Sequence, residues 1–296
     1  MDVLEVMSDM SEKVHYNITG LPVYSLRDRL RRYGYAAKVH WHPDLELIVV
    51  LSGIMQYSVN GTIVTIPAGH GIFINSRRLH FGFSHEHADC TFIATVIHPS
   101  LITACLPAAQ DALGRQTARN RSDFYLLSPF IEWQEHLIRN ISQLNAMAST
   151  QTPPPLEIVD LATHIGIQAL NHVGEQHPHP LNDPDEIAFQ RMSAFIERCH
   201  HLHITVQDIA HAGTVGRSAC FQIFHRFTQS TPNKYLIDTR IRTSIAMLEE
   251  SNAPISEIAQ HCGFATTSHY SHTFKLQIGV TPTQYRDKHH SQHQKT

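Results

Sequence analysis

The chain is short of charge, of backbone-breaking residues and of long apolar runs. Charged residues make up 17% of its 296 positions, with 14 Gly and 15 Pro, while hydrophobic residues reach 42%. That balance excludes a disordered tail, a collagen-like repeat and a coiled-coil rod. Apolar-rich stretches such as Leu45 to Leu51 fall far short of the roughly 20 residues a membrane span needs, so no membrane partner is expected. The first ten residues, MDVLEVMSDM, are acidic and lack the basic start and long apolar core of a signal peptide, which points to the cytoplasm. Five cysteines are scattered without a C-x-x-C pair, so reduced, mostly buried thiols are expected rather than a zinc ribbon or redox motif. In contrast, the 24 histidines are many, and they make the net charge, −3 with histidine neutral, strongly dependent on pH. A length of 296 residues suggests two domains with a connector.

What charge there is lies unevenly. From Asp185 onward 11 Lys and Arg face 9 acids, whereas residues 1–184 hold 12 against 17. The C-terminal part is therefore the better candidate to meet an anionic partner.

Three regions separate by their periodicity. Between Val39 and His98, short β-branched runs (ELIVVL, IMQYSV, TIVTI, GIFIN, TFIATVI) alternate with turns, which is the grammar of a small barrel or sandwich. Asn60-Gly61 between two of these runs suits a type I′ hairpin, where both turn residues need positive φ. Leu126, Phe130, Leu137, Ile141 and Leu144 then recur at helical steps, with Ser128-Pro129 as a start. STQTPPP, Ser149 to Pro155, separates this from a second helix holding Ile158, Leu161, Ile165 and Leu170, giving a helical hairpin over 126–173. Residues 174–186, GEQHPHPLNDPDE, are polar with three prolines and read as a linker.

The C-terminal region repeats itself. Phe224, Pro232 and Tyr235 recur as Phe274, Pro282 and Tyr285, each 50 positions later. Upstream, Ile204 to Phe224 parallels Pro254 to Phe274: a short helix, a turn and a second amphipathic helix. This is helix-turn-helix grammar, duplicated at about 206–227 and 255–276. A single match would leave an ordinary helical bundle as the better reading. Two in register favour duplex DNA, because each second helix can enter a major groove, and groove faces recur every ~34 Å. Asn233 to Ser251 is long enough to be a spacer helix between them.

Residues Ile258-Ala259, Gly263-Phe264, Ser268-His269-Tyr270, Phe274-Lys275, Gly279, Thr281-Pro282 and Tyr285-Arg286 resemble the signature of AraC-type transcription regulators. The resemblance extends over about Met192 to Lys288 and implies a seven-helix DNA-binding domain at 187–288, followed by a tail at 289–296. It departs from the pattern at Gln229, Ser244, Gly216 and Cys220, and Thr214 takes the usual turn-glycine place, so the first turn is expected to be locally shifted. Carried over position by position, the resemblance implies base reading by Arg217, Ser218, Phe221 and Gln222 in the first recognition helix, and by Thr267, Ser268, Ser271 and His272 in the second. These residue types suit that role, since Arg bonds guanine and Gln adenine in a bidentate way, and Phe meets a thymine methyl. Ile223, Phe224, Tyr270 and Phe274 are expected in the core, and Arg226, Lys234, Arg242 and Lys275 at phosphates.

The N-terminal part, 1–125, carries a second pattern. Gly34, His40-Trp41-His42, Glu46 and Gly53 have the spacing of the first motif of the cupin superfamily. His40 and His42 alternate on an extended strand, so both can face one site together with Glu46. The second cupin motif has Gly61, Pro67 and Gly69 but Ile72 where its histidine would stand, with His70 or His80 as substitutes. No metal and no cofactor is therefore expected. A small molecule, such as a sugar, is expected near His40, Trp41, His42, Glu46 and His80, with Trp41 as a stacking surface. The expected whole is an α+β chain: a cupin-like β-barrel sensor, a hairpin that dimerises it, and a paired DNA reader. Its partners would be duplex DNA, a small effector, a second copy and RNA polymerase. It would not be an enzyme; the alternative is a metal-dependent cupin enzyme with a helical appendage.

Overall fold

The computed structural model describes residues 4–7, 10–103, 107–175 and 183–293, which fall into two compact units, Met1–Asp183 and Pro184–Thr296. Cys105 lies outside the described residues; Cys90, Cys199, Cys220 and Cys262 are free thiols.

In the first unit a five-stranded antiparallel sheet runs β1 (Val23–Arg29), β7 (Thr91–Ile97), β2 (Leu45–Ser52), β5 (Gly71–Ile74), β8 (Phe124–Leu127). A three-stranded sheet runs β4 (Thr62–Pro67), β3 (Ile54–Val59), β6 (His80–Phe83). The expected cupin-like barrel thus takes the form of a two-sheet sandwich whose described strands do not close into a ring. β2 explains its own composition. Ile48 and Val50 face the second sheet, in a core with Met55, Tyr57, Ile66 and Ile72. Leu45, Leu47 and Val49 face the other way, into a core built with helices. A strand buried on both faces reads as an unbroken apolar run. Asn60 (φ 48°) and Gly61 (φ 81°) form the two-residue turn between β3 and β4, both in the left-handed region that a type I′ hairpin requires.

Two helices, α1 (Ser100–Thr103) and α2 (Pro107–Thr117), precede β8; α3 (Glu132–Ala148) and α4 (Pro155–Asn171) follow it. Leu137, Ile141 and Leu144 of α3 and Ile158, Ala162 and Ile165 of α4 share the outer core of the large sheet. The expected helix start is displaced. Leu126 belongs to β8, pairing with Ile72, and is 44% exposed while Leu127 is buried; Phe130 is 87% exposed. Strand alternation decides these residues, and helical phase begins only after the Pro129 turn.

The second unit consists, among the described residues, of seven helices: α5 (Pro184–Cys199), α6 (Val206–Ala212), α7 (Arg217–Thr228), α8 (Pro232–Glu250), α9 (Ile255–His261), α10 (Thr267–Ile278) and α11 (Pro282–His293). α5 begins inside the stretch read as linker, whose residues 176–182 lie outside the described residues. In the first motif Phe189 of α5 stacks on Phe227 at 5.1 Å and meets Phe224 edge-on at 5.3 Å. In the second, Tyr270, Phe274 and Ile258 pack with Ile241 and Leu248 of α8.

The two turns differ by one residue. α7 and α10 stand 50 positions apart, but the capping residues of α6 and α9, Thr205 and Pro254, stand 49 apart. The same offset relates Val215 N–H to Ala210 carbonyl and Phe264 N–H to Ala259 carbonyl, both 3.0 Å. The first turn is thus the shorter. Its left-handed position holds Thr214 (φ 57°), the second holds Gly263 (φ 79°). A β-branched residue there costs about 1–2 kcal/mol, partly offset by the ~0.4–1 kcal/mol that an added glycine costs through unfolded-chain entropy. Thr214→Gly is therefore expected to stabilise the second unit by about 0.5–1 kcal/mol in urea denaturation. Gly263→Ala should cost more than ~2 kcal/mol, because φ is adverse and a Cβ would lie 2.4 Å from the His200 carbonyl oxygen.

Candidate effector cavity and DNA-facing helices

His40 and His42 precede β2 on an extended segment. His40 faces His80, the first residue of β6, across a bridge in which each N–H donates to the other's carbonyl, at 3.1 and 2.8 Å. Glu46 comes to the same place from the inner face of β2. One donor atom from each of His40, His42, Glu46 and His80 lies within 4.8 Å of the others, and all four residues are buried. Glu46 Oε2 is the hub: His80 Nε2 lies at 2.6 Å, His42 Nε2 at 3.8 Å, and Tyr57 Oη donates to it at 3.1 Å. Glu12, from the N-terminal segment, brings Oε2 to 3.3 Å from His40 Nε2.

These neighbours divide the charges. Burial, reinforced by His80, pushes His40 down to about 3, so its ring is neutral near pH 7. Burial acts to raise Glu46, but His80 and His42 outweigh it and hold the carboxyl well below its usual range. Burial also opposes charge on His42, and Glu46, Glu12 and Asp44 overcome that to raise it. Glu12 is lifted to about 7, chiefly by burial, with His42 opposing and Glu46 and Asp44 adding to it.

Beside this cluster opens a cavity of about 90 Å³, polar at the His40, Glu46 and Glu12 end and apolar at Leu30, Ile48 and Met55. Trp41 does not line it. One step out of phase with His40 and His42, its side chain leaves on the opposite side of the segment, and its backbone pairs with Met10 and Glu12. The expected stacking surface is absent from the cavity for that reason. Ile72 is buried in the apolar core between the sheets, and His70 packs edge-on against Phe130 instead. Of the two substitute histidines, it is His80 that joins His40, His42 and Glu46. Glu12, Asp44 and Tyr57 also belong to the cluster; Asp44 continues the two-residue alternation of His40, His42 and Glu46, whereas no local spacing in the sequence ties Glu12 or Tyr57 to the histidines.

In the second unit α7 buries Cys220, Ile223, Phe224 and Phe227 and leaves Arg217, Ser218 and Gln222 exposed, with Phe221 half-buried. α10 buries Tyr270 and Phe274 and leaves Thr267, Ser268 and His272 exposed, with Ser271 half-buried. Thr266 caps α10 by accepting from the His269 N–H, whereas Gly216 gives α7 no side-chain cap. Of the four expected phosphate cations, three are already engaged. Arg226 pairs with Asp185 at 3.1 Å, Lys234 with Asp238 at 3.0 Å, and Arg242 with Glu197 at 3.2 Å. Lys275 is exposed and, among the described residues, in no ion pair.

Residues 21–151 match the family model described as an AraC-like ligand binding domain, and residues 209–288 match that of a helix-turn-helix domain. The chain belongs to the AraC-type transcriptional regulators. Among relatives, this AraC-type regulator is 25% identical to the uncharacterised HTH-type transcriptional regulator YdeC of Bacillus subtilis (strain 168), over 94% of this chain and 96% of that one. It is likewise 25% identical to the melibiose operon regulatory protein of Escherichia coli (strain K12), over 83% and 82%. ToxT of Vibrio cholerae, solved with an unsaturated fatty acid bound, superposes with a TM-score of 0.45 at 18% identity, covering 92% of this chain and 97% of that one. No helix of the regulator, among the described residues, is long and apolar enough to cross a membrane.

Proposed function

We propose that this AraC-type regulator reads duplex DNA with Arg217, Ser218, Phe221 and Gln222 of α7 and Thr267, Ser268, Ser271 and His272 of α10, under the control of a small molecule entering the cavity beside His40 and Glu46. The observation that carries the reading is the pair of polar strips at equivalent positions of two helices whose opposite faces are buried. Lys275 is the best placed phosphate contact, because its charge is not spent inside the unit. The relative named for the melibiose operon supports control by a small molecule. Among exposed apolar side chains, Leu156 of α4 at 80% and Phe130 before α3 at 87% support the hairpin as the surface that meets a second copy. The regulator would act in the cytoplasm, beside RNA polymerase, and without catalysing a reaction.

Fluorescence anisotropy with a duplex from the protein's own upstream region and a scrambled control tests this. Expected is preferential binding of the native duplex, with a shallow loss on adding salt, since few free cations face the DNA. Equal, steeply salt-dependent binding to both duplexes would refute sequence reading by these helices.

A further inference from the structure

The sensor cavity carries acid without a fixed base. Glu12 and Glu46 stand at its polar end, and no lysine or arginine is among the described residues that line it. Asp28, bonded by the cavity-lining Tyr33, shows the ordinary arrangement: Arg32 donates to it at 2.8 Å and Tyr33 Oη at 3.0 Å. Glu12 has no such cation beside it, although its side chain is only 11% exposed. Its ion-pair partners among the described residues are histidines, His40 Nε2 at 3.3 Å and His42 Nε2 at 4.0 Å. A carboxylate removed from water normally has a cation or a set of donors to meet it.

The hydrogen-bonding groups at this end are equally one-sided. His40, 4% exposed, places Nδ1 2.8 Å from the Lys38 carbonyl. A carbonyl can only accept, so Nδ1 carries the proton and Nε2 turns a lone pair toward the Glu12 carboxyl group. The hydroxyls in the cavity wall are engaged elsewhere, Tyr57 with Glu46 at 3.1 Å and Tyr33 with Asp28. His15 lines the cavity too, and it pairs with Glu5. Both ring nitrogens of His42 are buried without an aligned hydrogen bond, so the polar end does not satisfy itself from within the chain. What it offers a ligand is acceptors and negative charge.

We propose that the cavity selects a small organic cation, a primary alkylamine, whose ammonium donates to Glu12, to His40 Nε2 and to Glu46 while its chain lies against Leu30, Ile48, Met55, Phe92 and Ala94. An ammonium has three donors and no acceptor, which matches three acceptors and a surplus of negative charge. Size sets the chain length. A cavity of ~150 Å³ holds benzene, so one of about 90 Å³ has room for roughly four carbons. A carboxylate or phosphate would meet Glu12 and Glu46 with no cation to receive it. A sugar, the ligand expected from the sequence, would press hydroxyls against the apolar wall, where they find no partner. The inference rests on reading this cavity as the effector site, and adds the chemistry for which that site discriminates.

The test is calorimetry on the full chain near neutral pH, with n-butylamine as probe and 1-butanol, butyrate and galactose as neutral, anionic and polyol controls. Expected is saturable binding of butylamine, roughly tenfold or more tighter than that of butanol, and none of butyrate. Glu12→Gln, close in shape, should weaken butylamine roughly tenfold or more and leave butanol within about twofold. Ala94→Phe, which fills the apolar end, should abolish binding of both. Butylamine binding that survives Ala94→Phe is association with surface acids and overturns the proposal. So does butylamine binding unchanged in Glu12→Gln, or butanol or butyrate binding as tightly as butylamine. A cavity that takes galactose or butyrate but not butylamine refutes the cation and leaves the effector site standing, whereas one that takes none of the four probes refutes both. Should Ala94→Phe not fold by circular dichroism, Glu12→Gln decides alone.

Discussion

Arg78→Ala is expected to cost the sensor unit about 3–5 kcal/mol, a large part of the roughly 5–15 kcal/mol by which a domain of this kind is stable. Arg78 is 3% exposed and satisfies its whole guanidinium internally. Nε donates to Asp123 at 2.7 Å, Nη1 to the carbonyls of Ser76 and Thr117 at 2.8 and 3.2 Å, and Nη2 to those of Ala118 and Arg121 at 2.8 and 3.2 Å. Truncation leaves the buried Asp123 charge without its guanidinium and the carbonyls at the end of α2 without donors. Breaking a buried pair from one side is much worse than replacing both members by apolar groups. Urea denaturation followed by tyrosine and tryptophan fluorescence checks the size of the loss, and Arg78→Met with Asp123→Leu should recover a good part of it. A loss below ~1 kcal/mol would show that water reaches and satisfies the site. Because His80 follows Arg78 by two residues and bonds its carbonyl, the single variant should also loosen the contact between His80 and Glu46 beside the cavity before the unit melts.

The second large effect concerns DNA. Arg217→Ala with Gln222→Ala is expected to lower affinity for the native duplex by about 30-fold to 10³-fold, taking ~1–3 kcal/mol for a base contact and the lower half of that range for each of the two. Affinity for a scrambled duplex should fall far less, through the one positive charge removed, and the salt slope should change by about one. By contrast, Lys234→Ala and Arg226→Ala should have small effects, since Asp238 and Asp185 already balance those cations. A uniform loss on both duplexes from the Arg217 and Gln222 variant would mean that α7 lies along the phosphates rather than in the groove.

Legibility in the sequence followed how local each signal was. β2, β3, β4, β5 and β7 were readable because their apolar runs are bounded by turn residues, and the Asn60-Gly61 hairpin because two positive φ angles demand that pair. β1, with the sequence VYSLRDR, was not, since it is an edge strand whose polar side chains blur the alternation. β6 is four residues long with Gly82 inside it, and β8 borrows Leu126 from what looked like a helical stripe. The duplicated recognition helices were legible because their buried and exposed positions repeat at one spacing. The sensor cluster was half legible. His40, His42 and Glu46 lie close in the chain, whereas His80 arrives by cross-strand pairing with His40 and Glu12 from the N-terminal segment, and neither is fixed by local spacing.

The one-residue difference between the two turns sets a rule for building chimeras of this reader. Exchanging the first motif for the second in a single 50-residue frame would put the exposed Gln260 at the place of the buried Ala210, and His261 at that of His211, one step out of phase with the core. The supporting helices must be joined in a 49-residue frame and the recognition helices in a 50-residue frame, with the crossover made inside the turn. Specificity can then be swapped between the two readers as a cassette that carries its own hinge, leaving the aromatic contacts beneath each helix in register.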